Sequence, residues 1–216
     1  MKVVSNPINS EAQIKHELEA LEVFNLKEIQ EHKEQVRSFW LDLVKPSEVM
    51  LSCFESAFEE VMFGATIWAL NQDPNYPKII TISRVPHEIN NQKIPGSRWG
   101  IDNPDSVYRV IPIGDSQSYV IRGKLGKQLF NENHFTLWDE NMKTIGLLSG
   151  NNIAVDNDGS FEIFVDPNSS KGKKNHIQTS AGAKEFYIRD TMIDWLNDRP
   201  NLLDIEIIPS SRADNK

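Results

Sequence analysis

In the N-terminal part of the chain apolar residues recur every three or four positions; beyond residue 78 they alternate or run together in short blocks. The first pattern predicts helices and the second predicts strands. Ser10, with Gln13 three residues on, has the form of a capping box, and Ile14, Leu18 and Leu21 follow at helical spacing. Phe24-Asn25 breaks this helix. Asn25 can cap a second one, in which Leu26, Ile29, Val36, Phe39, Trp40 and Leu43 mark the buried side. After Pro46, Ser47 can cap a third, with an apolar stripe of Met50, Phe54, Ala57, Phe58, Val61, Met62, Ala65, Trp68 and Ala69. Pro74 and Pro77 cannot continue it.

"KIITISRV" has the β-branched richness of a strand, and "PHEINNQKIPGSRWGIDNPD" reads as a long connection. Further strands are expected in "VYRVIPI", "SYVIRGKL", "HFTLWDE", "TIGLLS", "SFEIFV", "EFYIRD" and "LLDIEII". Turn signals at Gly114-Asp115, Glu140-Asn141, Asn157-Asp158-Gly159 and Asp166-Pro167-Asn168 divide them. Helices first and strands afterwards argue against alternating βαβ units. The expectation is an α+β fold: an N-terminal helical segment of about three helices (1–75), then an antiparallel β-sandwich or jelly-roll-like domain (76–216), the two forming one unit. The broad aromatic stripe of the third helix has to cover something apolar. The β-domain is the first expectation, and a second subunit, in a homodimer through the N-terminal helices, is the alternative.

Composition narrows the function. Among 216 residues, 23 basic side chains against 31 acidic give a net charge of −8. This opposes nucleic-acid binding, whose sequence-independent part comes from Lys and Arg on phosphates. Lys171, Lys173 and Lys174 sit in a Gly/Ser-rich stretch and read as a solvated loop. No apolar core of a secretory signal follows the start, and the apolar run around "VMFGATIWAL" is too short to span a bilayer. No membrane contact is expected, and a cytoplasmic location is. Cys53, the single cysteine, excludes an internal disulfide and a thiolate cluster, and reads as a small, at least half-buried hydrophobe. No dinucleotide fingerprint, Walker lysine motif or nucleophile elbow occurs, and no histidine pair has helical ligand spacing. His16 and His32 read as solvated. Neither cofactor nor metal is expected.

Four stretches carry surplus chemistry. In "WGIDNPDSVYRVIPI" Asn103-Pro104 makes a turn that launches a strand, but a turn demands neither the acid at Asp105 nor the phenol at Tyr108. "KNHIQT" offers Asn175 and His176, and "FYIRDTMIDW" offers Arg189 and Trp195. His134 alternates with Phe135 and Leu137, and Arg122 with Tyr119 and Ile121. Each polar strand residue, taken singly, reads first as solvated surface.

"DNPDSVYRVIPI…YVIRGKLG", "DGSFEIFVDP" and "NHIQTSAGAKEFYIRDTMIDWLNDRPNLLDIEII" occur in that order over roughly residues 98 to 208. This stretch resembles an uncharacterised bacterial domain-of-unknown-function family. The resemblance implies a jelly-roll-type β-sandwich with a helical attachment, and it brings no reaction. Matching positions are Asn103, Pro104, Asp105, Tyr108, Gly123, Asp158, Gly159, Phe161, Asn175, Arg189, Asp194 and Trp195; His176 stands where relatives carry Trp. The expected function is binding of a small, largely apolar molecule at the open end of the sandwich. Trp99, Asn103, Tyr108, Asn175 and Trp195 would line the site, and Asp105, His176 and Arg189 would fix its polar groups. Were it catalytic, the chemistry would be cofactor-free hydration, elimination or isomerisation, with Asp105 or His176 as base and Arg189 stabilising negative charge. The alternative is a non-catalytic interaction or assembly module built on the helices.

Overall fold

The computed structural model describes residues 8–100, 102–126 and 132–209. Three helices come first, α1 (Glu11–Phe24), α2 (Lys27–Val44) and α3 (Glu48–Ala69). The strands follow as β1 (Ile80–Thr81), β2 (His87–Ile89), β3 (Gln92–Ile94), β4 (Ser106–Pro112), β5 (Ser118–Lys124), β6 (Asn133–Asp139), β7 (Thr144–Ser149), β8 (Ser160–Asp166), β9 (His176–Gln178), β10 (Ala183–Thr191) and β11 (Leu202–Ile208). This is the α+β arrangement that the order of hydrophobic periods predicts. The described residues sort into two compact units: Ser10–Leu70 with Ile82–Asp102, and Asn71–Thr81 with the chain from Asn103 on.

In the helical unit Ser10 Oγ accepts the Gln13 N–H and Ser47 Oγ accepts the Met50 N–H, so both serine caps form. The buried faces differ from the expected stripes. In α1 they are Gln13, His16, Glu17, Ala20 and Phe24, and in α3 Phe58, Phe63, Gly64, Ile67 and Trp68. Phe24 meets Phe63 edge-on, with ring centroids 5.5 Å apart. His16, read as solvated, is fully buried with Nε2 2.9 Å from the Ile67 carbonyl oxygen. A helical wheel ranks His16 as polar; a tertiary carbonyl partner makes its burial tolerable. No residue of α2 is buried, and Phe39 and Leu43, expected on its inner side, are 61% and 69% exposed. Cys53 is exposed as well.

The segment read as a long connection contains a hairpin. β2 and β3 pair antiparallel around Asn90-Asn91, both in the left-handed region at φ 50° and 63°. Two successive left-handed residues make the type I′ turn that suits the right-handed twist of two strands, and asparagine tolerates it.

In the second unit two sheets pack face to face. One runs β1-β4-β10-β6-β7 and the other β11-β5-β8-β9. All pairings are antiparallel except β8 with β9. Neither sheet closes into a barrel. Alternate residues supply the core: Ile111 and Ile113 of β4, Phe186 and Ile188 of β10, and Phe135 and Leu137 of β6 meet Tyr119 and Ile121 of β5 and Phe161, Ile163 and Val165 of β8. Phe135 and Phe161 touch edge-on across the sheets, with centroids 6.1 Å apart. Gly123 lies opposite Phe161 in the β5–β8 register, and the Phe161 ring occupies the place that a Cβ on Gly123 would take.

Candidate functional site

The parity that sends Ile111, Phe186 and Leu137 inward sends Tyr108, Tyr187, Arg189, His134 and Trp138 to the outer face of the five-stranded sheet. There Tyr187 stacks on Trp138, with centroids 4.5 Å apart and planes at 11°, and on Tyr108 at 5.3 Å and 27°. Trp138, Tyr187 and Tyr108 thus form an aromatic ladder across β6, β10 and β4. The Arg189 guanidinium lies over the Tyr187 ring at 4.9 Å, a cation–π contact. In register, Arg189 faces Tyr108 on one side and His134 on the other. Tyr108 and Tyr187 are buried, whereas Trp138, His134 and Arg189 are half-buried. Among the described residues the Arg189 side chain has no hydrogen bond and no carboxylate partner.

The "DNPD" turn stands at the end of β4. Asn103 Oδ1 accepts the Asp105 N–H at 3.0 Å, and the Tyr108 hydroxyl accepts the Asn103 N–H at 2.8 Å. Both are the local side-chain-to-backbone bonds that turn residues supply. Asn103 and Tyr108 therefore have structural work whatever else they do. Asp105 is tied differently: its carbonyl accepts the Met192 N–H at 2.7 Å, and its Oδ1 accepts the Trp195 indole N–H at 3.0 Å. Trp195 belongs to a loop after β10 in which Asp198 accepts the N–H groups of Ile193 and Asp194, and Asp194 accepts those of Leu196 and Asn197. Asp194 also accepts the Asn197 side-chain amide, and that bond first, with the Leu196 N–H next, holds its carboxyl below its ordinary value. Asp105, Tyr108, Arg189 and Trp195 consequently gather at one end of the β4–β10 pair.

His176 and Asn175 lie elsewhere. In the β8–β9 register His176 sits beside Phe164, on the outer face of the four-stranded sheet, away from Arg189. Its Nε2 is buried, 3.4 Å from Asp166 Oδ1, outside hydrogen-bonding geometry. Asp166 also accepts Lys173 and the Asn168 N–H. Burial pushes its carboxyl up, but Lys173, Asn168 and His176 together outweigh it and hold it below the usual range. Asn175 is a pin: it donates to the Ala154 and Glu162 carbonyls and accepts the Ala154 N–H. Trp99 belongs to the helical unit and packs on Trp68, with ring centroids 4.4 Å apart. Arg122 lies on the surface, bonded to Glu162 and Glu206.

One polar cluster escaped the sequence reading. Arg109, on the inward parity of β4, is 1% exposed; its Nη1 donates to the Asn201 carbonyl at 2.7 Å, and its Nη2 lies 3.6 Å from Asp190 Oδ2. Asn201 donates its N–H to Asp190 and its amide to Asn133. Desolvation pushes the Arg109 guanidinium down and Asp190 partly restores it. The available signal was an arginine on the parity of Ile111 and Ile113, a place where a charge persists only with a partner. This cluster closes one end of the core. Among the described residues no group of His, Cys, Asp and Glu side chains has the arrangement of a metal centre. Among the described residues no helix is long and apolar enough to cross a membrane.

No protein-family model matches the chain, and no curated protein matches it in sequence. Among solved structures it is similar to an uncharacterised protein from Burkholderia cenocepacia, at a TM-score of 0.62 and 21% identity over 75% of this chain. The match spans 43% of that protein's length, so the chain corresponds to less than half of it. A second similar structure, the VPA0106 protein from Vibrio parahaemolyticus, has a TM-score of 0.37 at 16% identity over 51% of this chain and 32% of its own. The first likeness supports the fold, and neither description names an activity.

Proposed function

We propose that the outer face of the five-stranded sheet, around β4, β10 and β6, binds a small and largely apolar molecule. The supporting observation is Arg189: a half-buried cation laid on Tyr187, flanked by His134 and Tyr108, with no acidic partner among the described residues. A cation that serves only solubility extends into water; one resting on an aromatic ladder keeps its N–H groups oriented for a ligand. Asp105, held by Trp195, supplies an acceptor at the same end of the β4–β10 pair. If chemistry takes place on this face, Asp105 or His134 is the base, since His176 lies on the other sheet. The trial is native mass spectrometry of the purified protein and a ligand screen by thermal shift, on the wild type and on Arg189→Ala and Asp105→Asn. Ligand-induced shifts that both variants weaken support the reading. A screen without ligands, or shifts that neither variant alters, would overturn it.

The assembly reading draws on a different observation. Phe39, Leu43, Val44, Val49, Met50 and Leu51 are all exposed around the turn between α2 and α3. An apolar patch at a helical tip is the kind of surface on which a second copy can close symmetrically. Sedimentation of the full chain beside Phe39→Asp and Leu43→Asp tests it: a dimer that both substitutions dissociate supports assembly, and a monomeric wild type at high concentration rejects it.

A further inference from the structure

We infer that the ligand of the Arg189 face is a planar aromatic monocarboxylate, an inference that rests on the binding reading given above. Three features of the face select this class together. The first is flatness: Trp138, Tyr187 and Tyr108 stack with planes at 11° and 27°. Among the described residues Tyr187 is the only ring stacked on Trp138, which is half-buried at the β6 end of the ladder. Offset stacking rewards a further flat ring over a saturated one of equal area.

The second feature is charge. Arg189 carries one positive charge with no carboxylate against it among the described residues, and its guanidinium lies over the Tyr187 ring at 4.9 Å. A guanidinium so placed can match the two oxygens of a carboxylate bidentately. One cation in a chain of net charge −8 suits a monoanion. A phosphate dianion would need further donors, and the residues beside Arg189 on the neighbouring strands, Tyr108 and His134, are not lysines or arginines. The third feature is the polar border. Asp105 accepts the Trp195 indole, and Ser106 shares a hydrogen bond with Thr191 at 2.8 Å, so the β4 end of the ladder is edged with acceptors and hydroxyls. Hydroxyl or amino substituents on the ring would therefore be tolerated toward β4, and a second carboxylate there would meet Asp105.

Three probes of matched shape separate the elements: 2-naphthoate, its neutral isostere 2-naphthamide, and the saturated decalin-2-carboxylate. Calorimetric titration of the full chain should rank 2-naphthoate tightest. Loss of the charge-assisted bond should weaken 2-naphthamide on the order of ten- to a hundredfold, and loss of stacking should weaken the decalin by about tenfold. Arg189→Gln should abolish the difference between naphthoate and naphthamide while leaving naphthamide affinity in place. If that variant melts too early to be titrated, the three probes on the wild type decide alone. Equal affinity for naphthoate and naphthamide, or discrimination that survives Arg189→Gln, overturns this inference while the face remains a ligand site. If all three probes fail to bind the wild type, the aromatic-carboxylate class is excluded. The binding reading itself falls only if the wider ligand screen is empty too.

Discussion

Arg109 shows what a buried charge imposes at the scale of single residues. Its guanidinium is enclosed among Asn201, Asp190 and the core strands, so removing the acid leaves a cation out of water with one carbonyl for company. Asp190→Ala should cost about 3–5 kcal/mol, the range for breaking a buried pair from one side, as read from urea unfolding. Asp166 makes a gentler, pH-dependent contribution. Its carboxyl is held below the unfolded value, so the stability it confers is present above about pH 4 and fades as pH falls through the folded value. The gap between wild type and Asp166→Asn should be about 1–2 kcal/mol at pH 7 and shrink as pH falls below about 4; a gap independent of pH would show that the carboxylate charge is not its source. Sequence reasoning singled out Asp105, Arg189 and Trp195 because a turn or a strand does not need their chemistry, and Tyr108 for a phenol that the turn uses to accept the Asn103 N–H. It could not separate them from Asn175 and His176, because alternation along one strand says nothing about which sheet that strand joins.

Elements were legible in kind more than in phase. Both serine caps and the seven longer strands lie where local patterns put them, since capping and β-branched runs act over a few residues. The buried face of α3 differs from the expected stripe because the helix carries more apolar residues than one face can hold, and tertiary contacts chose Phe63 and Ile67; in α1 the buried face includes Gln13, His16 and Glu17, which a hydrophobic pattern counts as polar. The β2–β3 hairpin was hidden by short strands, although Asn90-Asn91 places at both central positions of the turn a residue that tolerates the left-handed region. With Asn91 at φ 63°, Asn91→Val should cost about 1–2 kcal/mol by thermal melt, whereas Asn91→Gly should be neutral or stabilising.

For the molecule as a whole, helices before strands was readable from the order of hydrophobic periods, but the sheet orders were not. β4 is hydrogen-bonded to β1 and β10, and β5 to β8 and β11, so the pairings link positions far apart in sequence, where local pattern carries no information. The same topology sets where the fold opens last. β10 lies between β4 and β6, and β5 between β8 and β11, so both are paired on two sides and packed on one core. Native-state hydrogen exchange should be slowest at Ile121, Phe186 and Ile188 and faster along β7, β9 and β11, which have one neighbour each. Equal protection along the edge strands would contradict this ranking.

The Phe161 ring seated over Gly123 makes these two positions a single heritable unit. A glycine that lends its face to a neighbour's ring is free to mutate only when that ring changes too. Gly123→Ala alone should lose about 1–3 kcal/mol by overpacking. In a Phe161→Leu background the same change should cost markedly less, so a double-mutant cycle should show strong coupling. Lineages that give up the aromatic at 161 should therefore be the ones in which a side chain first appears at 123.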